Sequence, residues 1–179
     1  MDNRYVKIFA SGSKAPLKAT PGHFATNHAH INYYLDMTTL KTRLSEAQEV
    51  AKHLAERFLF DKVVDTIVCL EGTQVIGAYL AEELTRAGVL STNAHKTIYV
   101  ITPEYNSNSQ MVFRENILPM VHGKNVVILT AVVTTGLSLN KSIEAIQYYG
   151  GKLQSAAAVF STLDELNGCP ITSIYSPAD

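Results

Sequence analysis

The chain holds few of the features that would fix a function class at once. Its two cysteines, Cys69 and Cys169, lie far apart, so neither a disulfide framework nor a Cys-pair metal knuckle is encoded. Charged residues make up 17% of the 179 residues and balance to −1, which leaves no basic field for nucleic acid or an anionic membrane. No apolar run approaches the length needed to span a bilayer. Met1-Asp2-Asn3-Arg4 runs too soon into polar residues to read as a secretory leader, so a reducing, cytoplasmic setting is expected. No Gly-x-Gly-x-x-Gly follows a strand, and no Gly-Lys-Ser/Thr follows a glycine loop. Dinucleotide sites and nucleoside-triphosphate P-loops are thereby excluded.

What is present is the material of one globular domain over 1–179, with 46% hydrophobic residues and a length sufficient for its own core. Residues 1–37 read as an irregular hood carrying two strand-like pieces, Tyr5–Ala10 and Ile31–Asp36, with turn formers Gly12, Pro16, Pro21 and Gly22 between them. Leu40, Leu44, Ala47, Val50, Ala51, Leu54, Ala55 and Phe58 recur at helical spacing, which predicts one long amphipathic helix with Thr38 or Thr39 as its N-cap. Alternation follows. Val63–Leu70 predicts a strand and Gln74–Ala87 a helix, capped by Thr73 and stopped by Gly88. Thr97–Ile101, Val126–Leu129 and Leu153–Phe160 predict strands, and Leu137–Tyr149 a helix closed by Gly150-Gly151. Strands alternating with helices predict an α/β fold: a parallel sheet flanked by helices, with a small N-terminal hood.

In such sheets ligands sit beyond the carboxyl ends of the strands. Thr134-Thr135-Gly136-Leu137-Ser138 lies at one such end, where an apolar strand turns into a helix. Hydroxyls, a glycine and a helix N-terminus at one junction are suited to a phosphate. The plain alternative is a turn whose threonines cap the helix. Leu70-Glu71-Gly72-Thr73-Gln74 forms a second strand–helix loop, with Gly72 able to take an unusual backbone conformation. Thr102 to Asn125 is long for a connection, holds the polar run Asn106–Gln110, and carries Arg114, His122 and Lys124 late in the segment. His23, His28 and His30 share one loop without carboxylates or cysteines, which is poor material for a metal site, and no metal ligands are assigned.

The run from Val126 to Ser138 resembles the phosphoribosyl diphosphate (PRPP) signature of type I phosphoribosyltransferases: four apolar residues, two acids, then a Thr-Thr-Gly-x-Thr/Ser-like loop. Thr130 and Ala131 stand where the family has its acids. The end of the segment Phe24 to Asp36, Tyr33-Tyr34-Leu35-Asp36, is similar to the hood of orotate phosphoribosyltransferases, although Asn27 occupies about the place of the substrate-binding lysine. The long Thr102–Asn125 segment matches the mobile loop of that family by position only.

The resemblance implies that Thr134, Thr135, Gly136, Leu137 and Ser138 hold a 5-phosphate and that Thr130 and Ala131 face the ribose. It also implies that Glu71, Gly72, Thr73 and Gln74 line a pyrophosphate. Glu71 itself should turn to a metal, an amide or water, because facing pyrophosphate would be unfavourable. A phosphorylated ribose as small-molecule partner, magnesium arriving only with PRPP or pyrophosphate, and a homodimer are further implications. No residue is assigned a catalytic role. Two functions from different classes stand side by side. One is a transferase moving phosphoribosyl to orotate or a related pyrimidine-type base, with Glu71 or Asp36 offsetting the lost acids. The other is a weakly active or inactive relative that senses PRPP or a nucleotide. If the strand end is open to solvent, Thr130→Asp with Ala131→Asp should strengthen PRPP binding.

Overall fold

The computed structural model describes residues 5–25, 30–58, 62–86 and 91–179. Asn27 and His28 of the hood, and the helix stop at Ala87-Gly88, lie outside these residues. A six-stranded sheet runs in the order β10 (Glu165–Leu166), β11 (Cys169–Tyr175), β9 (Lys152–Ser161), β8 (Asn125–Val133), β4 (Thr66–Cys69), β5 (Tyr99–Ile101). All neighbours pair in parallel except the short β10. Three helices cover it: α2 (Leu44–Phe58) and α3 (Gln74–Thr85) with one core, α4 (Leu137–Tyr148) with the other. Along β8 the side chains alternate between the two cores. Val127 and Leu129 join α2 and α3, and Val126 and Ile128 join Leu139, Ile143 and Ile146 of α4.

The predicted long helix is two helices. α1 (Thr38–Thr42) ends where Arg43 turns extended (φ −84°, ψ 122°), and α2 starts at once. Thr42 spends its hydroxyl on the Thr38 carbonyl at 2.6 Å, a local bond that competes with the helical ladder. Neither Thr38 nor Thr39 caps the helix; Met37 holds the N-cap position and makes no side-chain cap bond. Asp36, just before it, accepts the Thr38 N–H on its Oδ1 at 2.9 Å. Backbone contact and the nearby ammonium groups hold the Asp36 carboxyl below its ordinary value.

The hood is a three-stranded antiparallel sheet of β1 (Val6–Ile8), β2 (Leu17–Ala25) and β3 (His30–Asp36). Pro21 and Gly22, expected in a turn, lie inside β2. Proline is tolerated there because β1 pairs only with Leu17 to Ala19, so at Pro21 the strand has a partner on one side alone. A register shift between Pro21 and Phe24 absorbs the irregularity. The Tyr175 hydroxyl, buried at the end of β11, donates to the Ala15 carbonyl and ties this segment to the main sheet.

Candidate functional site

The strand β8 runs further than its apolar run, through Thr130 and Ala131 to Val133, and the loop 134–138 begins at its end. Gly136 sits at the N-cap of α4 in the left-handed conformation (φ 78°, ψ 0°). A Cβ there would lie 3.0 Å from Leu166 Cδ2 and 3.2 Å from Leu163 Cδ1, so glycine answers both the backbone and the neighbours. Thr162 anchors the loop from behind, its hydroxyl donating to the Thr134 carbonyl at 2.6 Å. Thr134, Thr135, Leu137 and Ser138 are exposed. No side chain caps α4, so the threonine hydroxyls are not spent as the plain reading of this turn would have them. Among the described residues, the backbone N–H groups of Thr134 to Ser138 have no protein acceptor. Free amides at a helix N-terminus form a concavity suited to an anion.

Opposite this loop stands Glu71. It is itself left-handed (φ 54°), as is Gly72 (φ 76°), a costly conformation for a residue with a side chain. Its Oε2 accepts the Thr130 hydroxyl at 2.9 Å and the backbone N–H groups of Ala131 at 3.1 Å and Val132 at 3.3 Å. The Ala131 and Val132 amides are among the destinations expected for this side chain. The strand end lacks its own acids, and a carboxylate from the neighbouring loop sits on it. Register brings this about: Cys69 pairs with Leu129, so the residues just beyond each are neighbours. Thr130 and Ala131 are each only 4% exposed, and Ala131 packs in the α2/α3 core. The strand end is therefore not open to solvent, and the condition for strengthening PRPP binding with two new aspartates fails.

One cleft of about 1460 Å³ joins these parts. It is lined by the whole 134–138 loop, Glu71, Thr130, Ile31 of the hood and Tyr105. Of the expected pyrophosphate loop, Glu71 alone lines it. Thr73 is fully buried, and its hydroxyl donates to the carbonyls of Leu70 at 2.7 Å and Leu129 at 3.0 Å. It occupies the N-cap of α3 without making a side-chain cap bond. Gln74 faces a separate shallow depression on α3 with Val75, Ala78 and Tyr79.

The segment expected as a long irregular loop contains a hairpin, β6 (Glu104–Tyr105) with β7 (Met111–Val112). Its polar run is the turn. Asn106 Oδ1 accepts the N–H groups of Asn108 at 2.9 Å and Gln110 at 3.0 Å, and its Nδ2 donates to Gln110 Oε1 at 2.9 Å. The hairpin forms a wall of the cleft. Burial, and then the Glu71 charge, raise the Tyr105 hydroxyl above its ordinary pKa, so the phenol keeps its proton. Arg114 is paired with Glu104 at 2.7 Å, and His122 Nδ1 lies 3.2 Å from the Tyr149 carbonyl. Neither these two nor Lys124 lines the cleft. Two other lysines stand near it. Lys141 of α4 lines it, and Lys41 of α1 donates to the Glu71 carbonyl at 2.9 Å. No sequence motif marked either.

No protein-family model matches the chain, and no curated protein sequence matches it significantly. Solved structures do. The Leishmania donovani UMP synthase superposes with a TM-score of 0.66 at 18% identity, over 89% of this chain and 34% of that one. This chain thus spans about a third of that protein. The orotate phosphoribosyltransferase of Mycobacterium tuberculosis H37Rv gives 0.61 at 16% identity, over 90% of this chain and 91% of that one. The adenine phosphoribosyltransferase of Trypanosoma brucei, in complex with AMP, pyrophosphate and ribose-5-phosphate, gives 0.61 at 12% identity, over 90% and 76%. The fold is that of the type I phosphoribosyltransferases.

Proposed function

We propose that this protein binds a ribose phosphorylated at its 5-position, with PRPP as the principal ligand, and holds it more readily than it turns it over. The amides of Thr134 to Ser138 take the 5-phosphate. Glu71 takes the ribose hydroxyls from the strand end where Thr130 and Ala131 are uncharged, and the hood closes the cleft from the side of Ile31. The observation that carries this reading is the Glu71 carboxylate seated on Thr130, Ala131 and Val132, across one cleft from a loop of unpaired amides.

Among the described residues, no three His, Cys, Asp or Glu side chains cluster to hold a metal. Magnesium, which wants several oxygens, fits this cleft as the companion of a pyrophosphate that brings most of them, with Glu71 a carboxylate lining the cleft at the end of β8. One carboxylate in place of two forgoes a charged hydrogen bond worth about 1.5–3 kcal/mol. Expressed in the transition state, that is about 10- to 100-fold in rate. Transfer to orotate or a related base is the enzymatic form of the same reading.

Titration calorimetry with PRPP, ribose 5-phosphate, orotate and nucleoside monophosphates, with and without magnesium, tests binding. Pyrophosphate release from PRPP with each base tests turnover. Magnesium-dependent PRPP binding with slow release is the expected result. Ordinary enzymatic turnover with orotate establishes the transferase instead, and absence of binding by PRPP and ribose 5-phosphate alike overturns both. The homodimer implied by the resemblance is read by sedimentation of the same sample.

A further inference from the structure

We propose that the cleft takes a ribose whose 5-phosphate continues through a second phosphate to an aromatic nucleoside. The inference rests on the function proposed above and extends it past the 5-phosphate. The cleft does not stop at the 134–138 loop. It runs on along α4, lined by Leu137, Lys141, Glu144, Ala145 and Tyr148, with the turn of the β6–β7 hairpin as its other wall. These α4 positions form one stripe of the helix, while Leu139, Ile143 and Ile146 turn to the core. Met111 and Phe113, buried in that same core, hold the hairpin side of the groove to α4. From Ser138 to Tyr148 the groove follows about 15 Å of helix. A phosphate on the loop amides fills only its beginning.

The chemistry along the stripe changes in a fixed order. After the loop comes Lys141, whose ammonium makes no hydrogen bond or ion pair with any described residue. Helical side chains lean towards the N-terminus, so this charge is carried back to where a second phosphate would lie. Glu144 follows, its Oε1 accepting Asn140 Nδ2–H at 2.9 Å. Its carboxylate repels a third phosphate and accepts hydroxyls, which suits a sugar. Tyr148 ends the stripe, 84% exposed. Its ring makes a T-shaped contact with Tyr149 at 5.2 Å, and Tyr149 makes another with Phe113 at 5.3 Å. An exposed ring braced in this way offers a planar base a stacking surface. Amides, ammonium, carboxylate and ring thus match phosphate, phosphate, sugar and base in turn.

The test is calorimetry of the full chain with ribose 5-phosphate, AMP and ADP-ribose. It compares wild type, Lys141→Met, Lys141→Arg, Tyr148→Ala and Tyr148→Phe, each checked for its melting temperature. ADP-ribose is expected to bind wild type about tenfold or more tightly than ribose 5-phosphate does. Lys141→Met and Tyr148→Ala should each cut that ratio about fivefold or more, and Lys141→Arg and Tyr148→Phe should keep most of it. A ratio that Lys141→Met or Tyr148→Ala leaves unmoved overturns the proposal. AMP binding as tightly as ADP-ribose also overturns it, since the gain would then come from a base at the ribose end. ADP-ribose no tighter than ribose 5-phosphate overturns it and leaves the phosphate-loop reading intact. A wild type that binds none of the three removes that reading and this one together.

Discussion

The Glu71 carboxylate and the Thr130 hydroxyl are joined at 2.9 Å across the adjoining ends of two parallel strands. They are 59 residues apart in sequence and meet because β4 and β8 are in register up to Cys69 and Leu129. A strand end with Thr130 and Ala131, neither of them acidic, thereby has a negative charge delivered from the side. The same bond accounts for the left-handed backbone at Glu71: three donors on one carboxylate oxygen, with Lys41 on the carbonyl, outweigh the conformational cost.

Glu71→Gln should weaken magnesium-dependent PRPP binding by about tenfold or more, since the amide keeps the shape but not the charge. Ribose 5-phosphate, which the proposed function assigns to the loop amides, should lose less. Calorimetry with both ligands decides it. Equal affinity of Glu71→Gln and wild type for PRPP would remove Glu71 from the ligand site.

Thr130→Asp with Ala131→Asp should destabilise the protein instead of improving it. Both positions are buried, Ala131 lies in an apolar core, and a new carboxylate at 130 would face Glu71. Buried unpaired charge costs about 3–5 kcal/mol. Placing a single acid on the strand while removing the neighbour's, as in Thr130→Asp with Glu71→Gln, should be tolerated better. Urea denaturation of the three proteins compares them, and a double aspartate variant as stable as wild type would contradict the burial argument.

Gly136→Ala should cost about 1–2 kcal/mol, because alanine is strained at positive φ. Its methyl group would also press on Leu163 and Leu166. Phosphate and ribose 5-phosphate affinity should fall with it, as the loop leaves the conformation that presents its amides. A variant that melts earlier yet binds ribose 5-phosphate like wild type would separate the loop from the ligand.

Asp36→Ala should lower the melting temperature at neutral pH, by the equivalent of about 0.5–1 kcal/mol for a helix-start contact that solvent partly screens. The Asp36 pKa is lowered in the folded state from an ordinary 3.8, so its contribution is present above that value and is lost as pH falls through the lowered one. The gap between wild type and Asp36→Ala in a melting series should therefore close on the acid side of pH 3.8. A gap that stays constant into strong acid would show that charge is not the source.

The sequence carried the parallel sheet well because its inner strands are buried on both faces and its helices are amphipathic. Val126 to Leu129 and Leu153 to Phe160 are legible as apolar runs, and Gly150 marks the end of α4. Elements whose partners lie far away were not legible. β11, with Pro170 and short alternation, gave no strand signal, and Pro21 and Gly22 of β2 read as a turn where pairing made a strand. The hairpin of β6 and β7 has strands of 2 residues each, below any periodic signal. At the site, the loop 134–138 is contiguous, so its hydroxyls, glycine and helix start could be read from one segment. The Glu71–Thr130 and Lys41–Glu71 contacts depend on strand register and on the packing of α1, and no spacing within one segment could announce them. Thr73 matched a helix cap by position, yet its hydroxyl was taken by the carbonyls of Leu70 and Leu129.

The sheet places its longest strands inside and its shortest outside. β8 and β9, of 9 and 10 residues, are flanked on both sides, while the sheet ends on β5 with 3 residues and β10 with 2. Parallel sheets assemble from distant segments and fold slowly, which gives unpaired edges time to recruit other chains. Edges this short offer few unpaired backbone groups as a template. The arrangement that buries β8, the strand leading into the 134–138 loop, in mid-sheet thus also shields this sheet against edge-to-edge aggregation.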